Sequence, residues 1–91
     1  MQQHHETIQN DQFIRLDLVS KQTTLSKPFL RNNIAKGLFP SPVKLGERLS
    51  VWLQSEVTAI MNARIAGNSN EDIKALVLEL EAARKNAGVN V

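Results

Sequence analysis

With 91 residues, no cysteine and a net charge of +2, the chain has room for one domain with a modest core and no disulfide to brace it. These numbers exclude a multidomain protein and a disulfide-framed secreted scaffold, and no stretch approaches the ~20 apolar residues of a membrane span. The first ten residues are polar and lack the basic start and apolar run of a signal peptide, so a cytoplasmic protein is expected.

The charge is unevenly spread. Residues 2–11 carry −2, residues 12–54 carry +5 and residues 55–91 carry −1. A basic field confined to the middle of a small chain is the footprint of a polyanion binder, and also of many ordinary solvated surfaces.

Residues 1–11 read as a flexible lead, polar and without apolar periodicity. Phe13, Ile14, Leu16, Leu18 and Val19 then supply an apolar approach to a short helix at about Asp17 to Gln22, with Asp17 placed where a carboxylate favours the helix start. Thr23 and Thr24 interrupt it. Ser26 is a good N-cap and Pro28 fits the first helical turn, so a second helix is expected from Lys27 to Lys36, ended by Gly37.

Two short helices joined by about four residues form a helix-turn-helix, whose second helix enters the major groove of DNA. Leu25, Leu30 and Ile34 would pack on the first helix, leaving Lys27, Arg31 and Asn32 outward. Arginine can bind guanine and asparagine adenine in bidentate fashion, while lysine reaches phosphate. Phe29 lies one residue off the apolar face, where it would meet a thymine methyl, pack under a wing or mark a protein contact.

Pro40-Ser41-Pro42 must be extended. It leads into Val43-Lys44-Leu45, a turn at Gly46-Glu47, and Arg48-Leu49-Ser50-Val51-Trp52, the alternating pattern of a two-stranded β-hairpin. Lys44 and Arg48 would flank its tip as a wing. Trp52 is expected to anchor the hairpin in the core. A third helix should span Gln54 to Ala66, its apolar face made by Val57, Ile60, Met61 and Ile65, with Gly67 ending it.

A fourth helix should begin near Ser69 to Asp72, present Ile73, Leu76, Val77 and Leu80 on one face, reach about Asn86 and stop by Gly88. Packing on the head is the preferred role, with dimerisation as the rival, because Leu78 lies off the main stripe and needs cover. Catalysis finds no footing: His4 and His5 are adjacent in the polar lead, and no metal spacing, paired nucleophile or glycine-rich phosphate loop occurs. No enzyme and no cofactor or metal are expected.

The run Ile14-Arg15-Leu16, Thr24-Leu25-Ser26-Lys27, Lys36-Gly37-Leu38-Phe39-Pro40-Ser41-Pro42-Val43-Lys44-Leu45-Gly46, then Arg48, Trp52 and Ser55-Glu56-Val57 resembles the AlpA family of prophage and genomic-island regulators. The resemblance covers about half the chain. It implies a mainly α fold with a small β-hairpin, a MerR- and excisionase-like winged helix-turn-helix over residues 12–67. The C-terminal helix over 68–91, read above as serving packing or dimerisation, extends past the family domain, and the resemblance says nothing about its role. It also implies sequence-specific binding of double-stranded DNA, as a transcriptional regulator or an excisionase directing an integrase. Partners then include DNA, an integrase, and further copies in a homodimer or a cooperative assembly on DNA.

In that family a basic residue and two hydroxyl residues follow the N-cap serine. They fall here on Lys27, Pro28 and Phe29, and only the basic one matches. The family's aromatic-then-arginine pair falls on Arg31 and Asn32, so the arginine comes one place early. Lys27, Pro28, Phe29, Arg31, Asn32 and Lys36, with Lys44 and Arg48 on the wing, make up the expected DNA-binding set. A protein-interaction module using the C-terminal helix or Phe29, with DNA binding secondary, is the alternative.

Overall fold

The computed structural model describes residues 11–89, so His4 and His5 lie outside the described residues. The chain enters on a two-residue strand, β1 (Phe13–Ile14), followed by α1 (Leu16–Thr23) and α2 (Lys27–Ala35). Two strands, β2 (Val43–Lys44) and β3 (Ser50–Leu53), lead to α3 (Gln54–Ile65) and α4 (Asn70–Val89). Four helices with a small antiparallel sheet make this a mainly α winged helix-turn-helix.

The wing is not a free two-stranded hairpin. Its sheet has three strands in the order β1-β3-β2, with Phe13 opposite Leu53, Ile14 opposite Trp52 and Val43 opposite Val51. Phe13 and Ile14, expected to lead into a helix, instead extend along β3 and give it a second partner. That sheet supplies the support a short hairpin lacks by itself. Asp11, assigned from sequence to the lead, accepts hydrogen bonds from the Ser55 N–H (3.0 Å) and hydroxyl (2.7 Å) and so caps α3, while the Gln54 N–H donates to the Gln12 carbonyl (2.8 Å).

Local chemistry accounts for the helix-turn-helix. Thr24 adopts a left-handed conformation (φ 64°) and ends α1, while the Ser20 hydroxyl donates to the Leu25 carbonyl across the turn (2.6 Å). Ser26 then caps α2 by accepting from the Phe29 N–H (3.2 Å), with proline in the first turn. At the other end Gly37 takes φ +78°, Leu38 N–H reaches the Asn33 carbonyl (2.8 Å) and Gly37 N–H the Ile34 carbonyl (3.1 Å). These are the two bonds of a Schellman stop. Lys36 is therefore the C-terminal cap rather than the last helical residue. Gly67 (φ +85°) ends α3 in the same way, with Asn68 N–H on the Ala63 carbonyl (3.1 Å).

The core joins Val19 of α1, Leu30 of α2, Phe39, Trp52 of β3, Val57 and Ile60 of α3, and Ile73 and Val77 of α4. Trp52 is almost fully buried, and its indole N–H donates to the Pro40 carbonyl (2.9 Å), fixing the sheet to the extended segment before it. A reciprocal pair of amide bonds between Gln22 and Gln54 (both 2.8 Å) ties the end of α1 to the start of α3.

α4 folds back on the head. Ile73 and Val77 are buried, and Arg84 holds Glu56 of α3 through two hydrogen bonds (2.9 and 2.6 Å). Arg84 also donates to the Ser41 carbonyl (2.7 Å), while Glu81 accepts from the Ser41 N–H (2.8 Å). The helix runs through Gly88, the expected stop, because glycine in a helix costs only about 1 kcal/mol and does not forbid continuation. Leu78 gains no cover from this packing and stays 69% exposed.

Candidate nucleic-acid interface

α2 distributes its side chains over three directions. Leu30 is fully buried, and at 3.6 residues per turn the opposite side belongs to Pro28, Asn32 and Ala35, all exposed. The Pro28–Asn32 face is the one free to enter a groove. Phe29 and Lys36 turn to one flank, Lys27 and Arg31 to the other.

On the Arg31 flank, α2, the start of α1 and the wing enclose an open concavity of about 400 Å³. Arg15, Arg31 and Arg48 line it, with Ile34, Leu49 and Trp52 among its apolar walls. Arg48 is presented by the wing turn, which the Leu45 N–H closes on the Leu49 carbonyl (2.9 Å). Arg15, the N-cap residue of α1, is exposed and lines the concavity from the helix start.

Asp17 also lines this site, and it forms an ion pair with Lys27. The hydrogen bond from Lys27, reinforced by its charge, holds the Asp17 carboxyl below its ordinary range. Lys27 is therefore engaged by a carboxylate rather than free for phosphate. None of Arg15, Arg31 and Arg48 is in a salt bridge or side-chain hydrogen bond among the described residues. Lys44 lies exposed on β2.

On the opposite flank Phe29, 49% exposed, faces α3 across a groove of about 650 Å³ that Lys36, Met61, Arg64 and Ile65 also line. Phe29 is not under the wing, because that flank of α2 points away from it. Of the expected set, Arg31 and Arg48 come together, Pro28 and Asn32 share the outward face, and Phe29 and Lys36 form a separate surface.

Arg15 was not in the DNA-binding set expected from sequence, although it lies in the Ile14-Arg15-Leu16 run that carries the family resemblance. The available signal was a basic residue immediately before the first helix of a helix-turn-helix. Glu56, buried and held by Arg84, was likewise recognisable only as part of a family motif.

The family model described as "Prophage CP4-57 regulatory protein (AlpA)" matches residues 12–65, which contain β1 to α3. The uncharacterized protein ORF88 of Enterobacteria phage P4 is 43% identical over 60 residues, a match covering 66% of this chain and 68% of that protein. No solved structure gives a significant match. The family match spans the whole helix-turn-helix and wing, and with the phage relative it shows that this chain belongs to the AlpA family of prophage regulatory proteins.

Proposed function

We propose that the protein is a sequence-specific double-stranded DNA-binding regulator of a prophage or genomic island, acting without catalysis in the bacterial cytoplasm. The observation that carries this reading is the placement of Arg31 and Arg48, neither in a salt bridge among the described residues, on one concavity beside an exposed Pro28–Asn32 face on the second helix of a helix-turn-helix. Groove-facing residues supply sequence discrimination and the flanking arginines supply affinity. The AlpA match supports the assignment, and the +5 charge of residues 12–54 supports its electrostatics.

Transcriptional control and excision use the same head. An integrase as partner and cooperative loading of several copies belong to the excisionase form of the proposal. A single module of this kind buries only about 600–1,000 Å² on DNA, which favours binding by more than one copy.

The test is salt dependence combined with substitution. Affinity for its site should fall with a log–log slope of magnitude about 3–5, and Arg31→Ala with Arg48→Ala should abolish most binding. Binding indifferent to salt and to both changes would remove DNA from the account. The Phe29–Ile65 groove favours a second reading, protein docking, because Ile65 is 83% exposed beside it. Phe29→Ala that spares DNA binding but abolishes regulation in the cell would support that reading.

A further inference from the structure

Three arginines from three separate elements line one concavity: Arg15 from the start of α1, Arg31 from α2 and Arg48 from the wing turn. Three positive charges lining one concave surface add their fields there and draw an anion toward it. Asp17 also lines the concavity, but among the described residues its carboxylate is ion-paired with Lys27 and forms no salt bridge with any of the three arginines.

The shape of the site narrows the anion further. Guanidinium groups present planar forks that match phosphate oxygens, and the walls contributed by Ile34 and Leu49 offer apolar surface to a sugar. Arg31 is also turned to the flank of α2, whereas Pro28 and Asn32 hold the outward direction that base edges require.

We infer that Arg15, Arg31 and Arg48 together seat one backbone phosphate of the bound duplex, so that Arg31 serves affinity and Asn32 serves base discrimination. This inference rests on the DNA-binding function proposed above. It assigns Arg15 a contact role and reverses the role that residue type alone suggests for Arg31. A phosphate held in this way bridges helix-turn-helix and wing, fixing the docking register through three points of the chain.

The test pairs protein variants with duplexes in which one phosphate at a time is replaced by an uncharged methylphosphonate. The duplex is the tightest-binding tile from the protein's own locus, and affinities are read by fluorescence anisotropy. One methylphosphonate position should weaken the unaltered protein about tenfold or more, the scale of a lost charge-assisted hydrogen bond. Arg15→Gln, Arg31→Gln and Arg48→Gln should each weaken binding to the unmodified duplex and lose sensitivity to that same position. Arg15→Lys should recover part of the loss, since it keeps the charge without the fork.

The salt slope of the triple variant should fall by about one, because one phosphate is neutralised, rather than by about three. Coupling of the three arginines to three different phosphates would overturn the inference. So would Arg15→Gln binding as tightly as the unaltered protein, or an Arg31→Gln loss confined to one base sequence. An unaltered protein that binds no tile overturns the DNA reading itself, and the phosphate seat with it.

Discussion

Removing the Arg84 guanidinium should destabilise the fold far more than loss of a surface ion pair. The Glu56 side chain is only 4% exposed and receives two hydrogen bonds from Arg84, whose own side chain is 22% exposed. The hydrogen bond to Glu56 in turn raises the Arg84 pKa, so the guanidinium stays charged at any working pH. Arg84→Met leaves the carboxylate buried without its counter-ion. Breaking such a pair costs about 3–5 kcal/mol, and the residual solvent around Arg84 places this case near 3 kcal/mol.

For a domain of this size each kcal/mol moves Tm by about 4–8 °C, so a loss of at least 12 °C or so is expected. Thermal and urea unfolding followed by circular dichroism measure it. The double variant Glu56→Met with Arg84→Met should recover most of the loss, because replacing both members of a buried pair by apolar residues is often near neutral. A single-variant cost below about 1 kcal/mol, the scale of an exposed pair, would refute the reasoning. A double variant no better than the single would refute the assignment of the cost to an unpaired carboxylate.

Four further outcomes follow from local geometry. Asp17→Asn should raise DNA affinity by a factor of about two to five at low salt, the scale of an exposed charge pair, by removing a carboxylate from the arginine concavity and releasing Lys27; anisotropy titration reads this. Because Lys27 lowers the folded-state pKa of Asp17, the pair adds stability that is present above the unfolded value and is lost as pH falls through the folded value. The same variant should therefore flatten the stability profile below about pH 4, as followed by urea unfolding. Ser26→Ala should cost about 1 kcal/mol by removing the cap on Phe29 N–H, and Gly37→Ala about 1–2 kcal/mol through its left-handed backbone, even though the added methyl would sit 3.9 Å from Lys74 Cγ; both are read by Tm.

The parts of the fold legible in sequence are those written in local chemistry. Ser26 and Pro28 mark the start of α2, Gly37 and Gly67 mark stops, and the alternation around Gly46 marks the wing. What escaped depends on partners distant in the chain. β1 has two residues, too few for a period-two pattern to register, and it exists because β3 lies alongside it. The Glu56–Arg84 pair joins residues 28 apart, and no charge pattern distinguishes a buried glutamate from a solvated one. The candidate site divides on the same line. Arg31 and Asn32 were visible from their place on the second helix, whereas Arg15 and the engagement of Lys27 by Asp17 required the folded arrangement.

The most direct measurement of the central claim is a fluorescence-anisotropy titration of the protein against duplexes tiled from its own locus, with scrambled duplex as control, at two salt concentrations. Tight binding to particular tiles that weakens steeply with salt is the predicted result, a promoter tile indicating transcriptional control and an attachment-site tile indicating excision. Weak binding without tile preference would contradict the account and direct attention to the Phe29–Ile65 groove as the working surface.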